Sequence, residues 1–418
     1  MKLAIHGGKP VRSKPFDAQS PSGGSAELRM IAKSLKRPSL TYGAIGPTIG
    51  GPRYFCEEFE DRFASYHHAR YAVAMNNGTV SLAAALRAAG VDCGDEVIFQ
   101  PYTCFANVEA VIQIGAIPVF ADIDADTYCV DVSKIEAKIT GKTGAIVAIH
   151  WAGRPADLDA LRRIARRKGL ALVEDACVAQ GAEWKGRRVG AFGGFGVFSF
   201  GWGKLMSCGE GGMIVTNNRD SAEKCRMMRN RGRNRKGEPT IIGWNGRISE
   251  MLAAFLLEKL RGYEAVLEKR TRNINYLMKR LAGIPGIRML KNDKRITQNA
   301  YCRFTLKFNE HEFGASRNRF IKAAAAEGLS FGDSVFPMPL YRHVFFRNNG
   351  VMDMHMSHLK GYRRRNDYTL SAYPACETAY QREALSLSHT CLQGSAHDMD
   401  DVISVFEKLR ENVDELRK

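Results

Sequence analysis

Close cysteine pairs are missing from this chain. Its ten cysteines, at positions 56, 93, 104, 129, 177, 208, 225, 302, 376 and 391, stand singly, without the short spacings of a zinc site or the density of a disulfide scaffold. Reduced thiols in a cytoplasm are the simplest account, and no metal centre is expected. Long apolar runs are missing too. None reaches the length of a membrane span, and the opening Met1-Lys-Leu-Ala-Ile-His-Gly-Gly8 lacks the apolar core of a signal peptide. The expectation is a soluble, cytoplasmic protein with no membrane partner. Internal repeats and low-complexity tracts are absent. Acidic residues are scarce beside basic ones, 44 against 61, which leaves a formal net charge of +17. A basic chain invites a nucleic-acid partner, yet lysine and arginine are spread along the sequence without a winged, zinc-finger or basic-zipper pattern, so none is expected. The positive potential suits anionic small molecules such as phosphorylated or nucleotide-linked sugars.

At 418 residues with 45 % hydrophobic side chains, the chain can fill one large and one smaller domain. Apolar, β-branched runs recur at 71–75, 96–99, 118–123, 145–149 and 171–173, with helical patterns between them at 79–89, 107–114, 132–139 and 158–168. Strand and helix in alternation predict a wound, mostly parallel sheet. Ligands of such sheets sit beyond the carboxyl ends of strands, and Gly78, residues 101–105, His150 and Asp175 all follow such ends. Past Val215 come an arginine-rich connection over 226–236 and a long helical stretch over 248–282. Strands near 288–290 and 301–308 follow, with helices near 315–327 and 399–410. This predicts an irregular amino-terminal arm over 1–45, a large domain over 46–265, and a smaller α/β domain over 266–418 hinged on the long helix.

One lysine names a chemistry. Lys204 lies in Val197-Phe-Ser-Phe-Gly-Trp-Gly-Lys-Leu-Met-Ser-Cys-Gly-Glu-Gly-Gly212, between an aromatic strand and a glycine-rich turn. Small and apolar neighbours suit a desolvated amine able to form a Schiff base, with Gly201 and Gly203 letting a flat ring approach the backbone. An exposed lysine titrates at about 10.4, so the site is expected to depress that value. A lysine held by a carboxylate for structural reasons is the competing reading. Upstream, the apolar run at 170–173 ends in Glu174 and Asp175. Carboxylates at the end of a buried strand are costly unless something positive meets them, and neighbouring strand residues point to opposite faces. One of the two can therefore face a site. A carboxylate that keeps a pyridine nitrogen protonated would make a lysine-bound cofactor an electron sink, and Asp175 is assigned that role. The glycines around Lys204 do not form a nucleotide triphosphatase loop, because Leu205 follows the lysine and Phe198 stands five residues before Gly203.

The stretches Asn77-Gly-Thr79, Pro101-Tyr-Thr-Cys-Phe105, His150-Trp-Ala-Gly-Arg-Pro155, Val173-Glu-Asp-Ala176, Ser199-Phe-Gly-Trp-Gly-Lys204, Gly209-Glu-Gly-Gly212 and Trp244-Asn-Gly-Arg-Ile-Ser-Glu250 follow one another along the chain. In this they resemble the DegT family of sugar aminotransferases, and the similarity runs from about Gly46 to the carboxyl terminus. The resemblance implies an α/β, fold-type I, pyridoxal 5'-phosphate dependent transferase with a large mostly parallel-sheet domain and a smaller C-terminal α/β domain. It implies a homodimer with a shared active site, which moves an amino group from L-glutamate or L-glutamine to a keto-sugar or keto-cyclitol through a Schiff base on Lys204.

By that resemblance Gly78 and Thr79 hold the cofactor phosphate at a helix amino terminus, where unpaired N–H groups favour an anion. Ser199 is a second phosphate ligand, Phe105 stacks on the ring, Asp175 meets the ring nitrogen, and Asn245 reaches the phosphate from the neighbouring subunit. Plainer alternatives stand beside these: Thr79 capping its helix, Phe105 packing in the core, and Asn245 filling a turn. His150 and Arg154 are candidates for the acceptor pocket. Arg231, in the cluster of Arg226, Arg229, Arg231, Arg233 and Arg235, is a candidate for a donor carboxylate or substrate phosphate, with a solvated charge run as the alternative. The chain departs from the family at Val178, where His or Gln usually lies near the ring hydroxyl and Gln180 is close but on another register. Gly201, Cys208 and Gly246 depart similarly. The opening residues 3–12 and Pro374-Ala-Cys-Glu-Thr-Ala379 resemble the keto-cyclitol branch. Two rivals remain: dehydration, decarboxylation or cleavage with the same cofactor, and a regulatory nucleic-acid-binding protein on an inert enzyme fold. Dehydrating relatives replace the lysine with histidine, so Lys204 argues against dehydration.

Overall fold

The apolar runs become strands because branched side chains fit a pleated surface covered on both faces. The computed structural model describes residues 2–16, 24–41, 53–331, 338–346, 356 and 372–417. In chain order its first strands are β1 Tyr71–Met75, β2 Glu96–Phe99, β3 Ile117–Phe120, β4 Thr143–Ile149 and β5 Ala171–Asp175. A small hairpin, β6 Glu183–Trp184 and β7 Arg187–Arg188, precedes β8 Phe195–Ser199 and β9 Gly212–Thr216. Seven of these form one sheet in the order β1-β9-β8-β5-β4-β2-β3. Neighbours from β3 to β8 run parallel, and β9 alone is antiparallel to its partners β8 and β1. The helices Gly78–Ala88, Ala106–Gln113 and Leu158–Lys168 join successive strands, as the alternating pattern predicts.

A second, antiparallel sheet is built from β10 Ile287–Met289, β12 Arg303–Phe308 and β13 Ala384–Ser388, while β11 Ile296–Gln298 joins β6 and β7. Strand β13 escaped sequence reading because Ala-Leu-Ser-Leu-Ser is short and follows a helical stretch. The helix Glu250–Leu281 runs unbroken through the expected divide at 265. Two apolar cores part along it, with Leu267 in the first and Ile274 in the second. Their membership does not follow chain order, since Leu340 and Tyr373 pack in the first core and Leu3 in the second. The expected boundary at 46 lies outside the described residues.

Two expectations need correcting. Residues 1–45 were expected to be irregular, but Ser25–Ser34 is a helix that packs on the long helix. Its first turn is held by Glu27, whose carboxylate accepts the Gly24 N–H at 2.8 Å. Nearer the terminus, the buried Glu327 carboxylate accepts the N–H groups of Ala4 and Val11 and pairs with Lys408 at 2.7 Å. The arginine-rich connection, in turn, begins as the helix Arg219–Arg229, capped by Asn218. Arg229 is buried against Glu60, and Arg226 and Arg235 share Glu223. Local composition could not show these partners.

His67 carries a pH dependence. Its ring is fully buried between Phe63 and Phe198, with Nδ1 3.0 Å from the Val189 carbonyl. Burial pulls its value down to about 3, against a smaller upward pull from that hydrogen bond. The native ring stays neutral where the unfolded ring takes up a proton, so stability falls as pH drops from about 6.5 towards 3. One such histidine contributes about 1.4 kcal/mol per pH unit inside that window. Denaturant titrations at pH 7 and pH 5 should show a smaller loss for His67→Phe than for the wild type. Equal losses would count against this assignment. Among the described residues no helix is long and apolar enough to cross a membrane.

Candidate active site

The sheet register brings distant residues level. Ile149 pairs with Asp175, and Asp175 with Val197. His150, Asp175 and Ser199 therefore end neighbouring strands on one rim, next to the turn that leaves β1. A pocket of about 220 Å³ opens there, lined by Asn77, Gly78, Thr79, Thr103, Cys104, Asn107, His150, Trp151, Asp175, Cys177, Val178, Ser199, Lys204, Glu210, Cys302 and Arg303, among others.

At one end the helix Gly78–Ala88 points its amino terminus into the pocket. Its cap is Asn77, whose Oδ1 accepts the Val80 N–H at 2.8 Å. This removes the reading of Thr79 as the cap and leaves it in the first turn, on the pocket wall. N–H groups of a first turn lack carbonyl partners within the helix, so an anion is favoured there. A Cβ on Gly78 would stand 2.8 Å from Ser199 Cβ and 3.2 Å from Cys177 Sγ. Only glycine lets the helix start this close to Ser199, whose hydroxyl accepts the Gly201 N–H at 3.3 Å. Bare backbone, a helix terminus and a hydroxyl together fit a phosphate.

Lys204 enters from the loop between β8 and β9. That loop is closed by Phe200 and Cys208, the Cys208 N–H reaching the Phe200 carbonyl at 2.9 Å, and by a bridge between Gly201 and Gly209. Gly203 has φ +78 and open space where a Cβ would be. Its use is to turn the chain, not to admit a ring. The expected depression of Lys204 is also reversed. Burial does push its value down, but the acidic groups of Cys177, Cys302, Asp175 and Cys104 outweigh it, so the value lies above that of a free lysine. The walls around Lys204 are thiols and an acid where the sequence suggested glycines and aromatics.

Asp175, 7 % exposed, lines the pocket, and its Oδ1 accepts the Cys177 N–H at 3.0 Å. Glu174 is directed elsewhere. It is wholly buried, and its carboxylate accepts N–H groups from Gly190, Phe192 and Gly193 at 2.7 to 2.8 Å. His150 joins it, with Nε2 3.2 Å from Glu174 and Nδ1 accepting the Ala156 N–H at 3.1 Å. Burial raises the Glu174 value, but His150 and the N–H groups pull harder, and the net shift is downward. His150 lines the pocket with both ring nitrogens engaged, so its contribution there is shape. A helix terminus for phosphate, an amine and a separate acid in one pocket fit pyridoxal phosphate.

The remaining candidates stand outside these walls. The Phe105 ring packs against His343 and Phe345, with centroids 5.5 and 5.3 Å away. Arg154 lines an adjoining chamber and donates to the Lys291 carbonyl. Asn245 and Arg231 are exposed on the surface, the latter with φ +59. Of the two residues around the missing His or Gln, Val178 lines the pocket. Gln180 is buried behind it and donates to the Ser199 carbonyl at 2.8 Å. Sequence reading missed Cys302 and Arg303, which come from β12 and its approach, about a hundred positions beyond Lys204 and without any local motif.

A sequence profile of the DegT/DnrJ/EryC1/StrS aminotransferase family matches residues 48–382. A putative L-glutamine:3-amino-2,3-dideoxy-scyllo-inosose aminotransferase of Streptoalloteichus tenebrarius is 37 % identical, over 100 % of this chain and 99 % of that one. An L-glutamine:scyllo-inosose aminotransferase of Streptomyces griseus is 34 % identical, again over 100 % and 99 %. Among solved structures, S. venezuelae DesV in complex with ketimine intermediate superposes with a TM-score of 0.78 at 29 % identity, covering 92 % of this chain and 94 % of that one. With the profile spanning most of the sequence and a lysine and an acid gathered in one pocket, this chain belongs to the DegT/DnrJ/EryC1/StrS aminotransferase family.

Proposed function

We propose that this aminotransferase moves the amino group of L-glutamine, or of L-glutamate, onto the ketone of a cyclitol, with pyridoxal 5'-phosphate as cofactor. The observation that carries the reading is the meeting of Lys204, Asp175 and the Gly78–Thr79 helix terminus in one pocket. The donor and acceptor class rest on the two full-length relatives named above. When bound, pyridoxal phosphate supplies an aldehyde that condenses with amines and a cationic ring that takes up an electron pair. The chain's own residues do the rest. Gly78, Thr79 and Ser199 anchor the phosphate, and Asp175 holds a proton on the ring nitrogen. Lys204 Nζ holds the cofactor and then carries the donor's α-proton.

A homodimer in the cytoplasm completes this reading. Trp202 and Ile242 are 85 % and 82 % exposed, and they lie two residues before Lys204 and three before Asn245. Large apolar side chains beside a site are what a partner surface covers. The test is a pair of half-reactions. Mixing the cofactor-loaded enzyme with L-glutamine should yield the 2-oxo acid and the amine form of the cofactor. That form should then aminate scyllo-inosose or a deoxy relative in preference to keto-sugars. Consumption of glutamine by decarboxylation or cleavage, with no amine form, would replace this reading by a rival.

A further inference from the structure

The sequence offered an arginine of the 226–236 connection to the donor's carboxylate, but Arg231 stands outside the pocket and Arg226, Arg229 and Arg235 are paired with acids. A different arginine lines the walls. We propose that Arg303 receives the α-carboxylate of the amino donor, an inference that rests on the aminotransferase reading above.

The argument is one of charge. Among the described residues, three side chains with basic nitrogen line this pocket: Lys204, His150 and Arg303. Lys204 is committed to the transferred amine, and both nitrogens of His150 are engaged by Glu174 and Ala156. Arg303 is half-buried, and among the described residues its guanidinium has neither a carboxylate nor a hydrogen-bond acceptor. A half-buried guanidinium without a counter-charge is costly, so an incoming anion gains there. The reaction brings two anionic groups to the pocket. The cofactor phosphate has its place at the Gly78–Thr79 terminus, while the donor's carboxylate has none. In an α-amino acid that carboxylate is one carbon from the amine, and the donor amine must come to where Lys204 Nζ acts.

Position supports the match. Arg303 opens β12, paired with β13 through Ser388, so its backbone is held on a sheet. Its neighbour Cys302 lines the same pocket as Lys204. Guanidinium and carboxylate pair through two parallel hydrogen bonds, which orients the donor as well as holding it. Arg303, Trp151 and Ala152 also line the adjoining chamber of about 70 Å³, which Met278, Met289, Asn299 and Tyr301 help to enclose. The donor's side chain has room to extend there beyond its α-carbon.

The test uses the cofactor-loaded enzyme with Arg303→Gln and Arg303→Lys. The glutamine half-reaction is followed by the cofactor's absorbance, and the acceptor half-reaction is started from the amine form. Arg303→Gln should raise the apparent KM for L-glutamine roughly ten- to hundredfold, the worth of hydrogen bonds to a charged group. The acceptor's KM should stay put, and Arg303→Lys should recover part of the loss. A second readout avoids turnover: calorimetric binding of 4-carbamoylbutanoate, glutamine without its amine, should weaken by a similar factor. Unchanged donor KM and unchanged binding of this acid in Arg303→Gln would overturn the proposal. So would equal losses for donor and acceptor in both variants. Should Arg303→Gln fail to fold, Arg303→Lys decides alone: a donor KM raised above that of the wild type with the acceptor's unchanged supports the contact, and a donor KM equal to that of the wild type, or raised together with the acceptor's, removes it. A wild-type enzyme inert towards glutamine and glutamate would instead sink the parent reading.

Discussion

Lys204→Ala is expected to end turnover while leaving a folded protein that still binds the cofactor phosphate. The residue sits on a loop closed by backbone hydrogen bonds at Phe200 and Cys208, so removing its side chain leaves those bonds in place. What goes is the amine. Loss of a positioned proton carrier alone costs roughly 10²–10⁴-fold, and the covalent link to the cofactor is lost with it. The measurement is the absorbance of the lysine-bound cofactor together with steady-state amino transfer. A variant that keeps both would remove the lysine from the chemistry. Lys204→Arg should fare no better, because a guanidinium keeps the charge but does not form an imine at neutral pH. Inactivity of both variants would separate chemistry from a purely electrostatic pairing with Asp175.

Asp175→Asn should be the next most damaging change. The amide keeps the shape of the carboxylate and can still accept the Cys177 N–H that Oδ1 now takes at 3.0 Å, so the strand end should survive. An amide cannot hold a proton on a ring nitrogen as a carboxylate does. The half-reaction with glutamine should slow roughly 10²–10⁴-fold, on the scale of other groups that hold a catalytic proton. Thermal unfolding should change little. A half-reaction within tenfold of the wild type would leave Asp175 a structural acid. Glu174→Gln is the informative contrast. It loosens three backbone N–H groups and His150, so its damage should register first in stability and only secondarily in rate.

Much of the large domain was legible because its strands are short apolar runs with a period and its helices announce their caps. The predicted runs 71–75 and 96–99 coincide with β1 and β2, and the pattern at 158–168 with the helix Leu158–Lys168. Legibility fades where structure depends on partners. The helix Ser25–Ser34 is half polar and gains its place from the long helix beneath it. The arginines over 226–236 read as one charge run, yet acids far away in the sequence divide them into buried, bridged and exposed members.

By itself the sequence determined the alternation of strand and helix, the ordered motifs of the family, and a lysine and an acid able to share a cofactor. Period, glycine placement and residue type are local properties, and they survive being read one position at a time. Only the tertiary structure decided which of Glu174 and Asp175 faces the pocket, because strand alternation separates the two faces without saying where the open space lies. It alone set three thiols and Arg303 around Lys204 and reversed the expected direction of that lysine's titration. Electrostatic fields add up over neighbours in space, and neighbours contributed by separate strands and loops have no signature in the order of the chain.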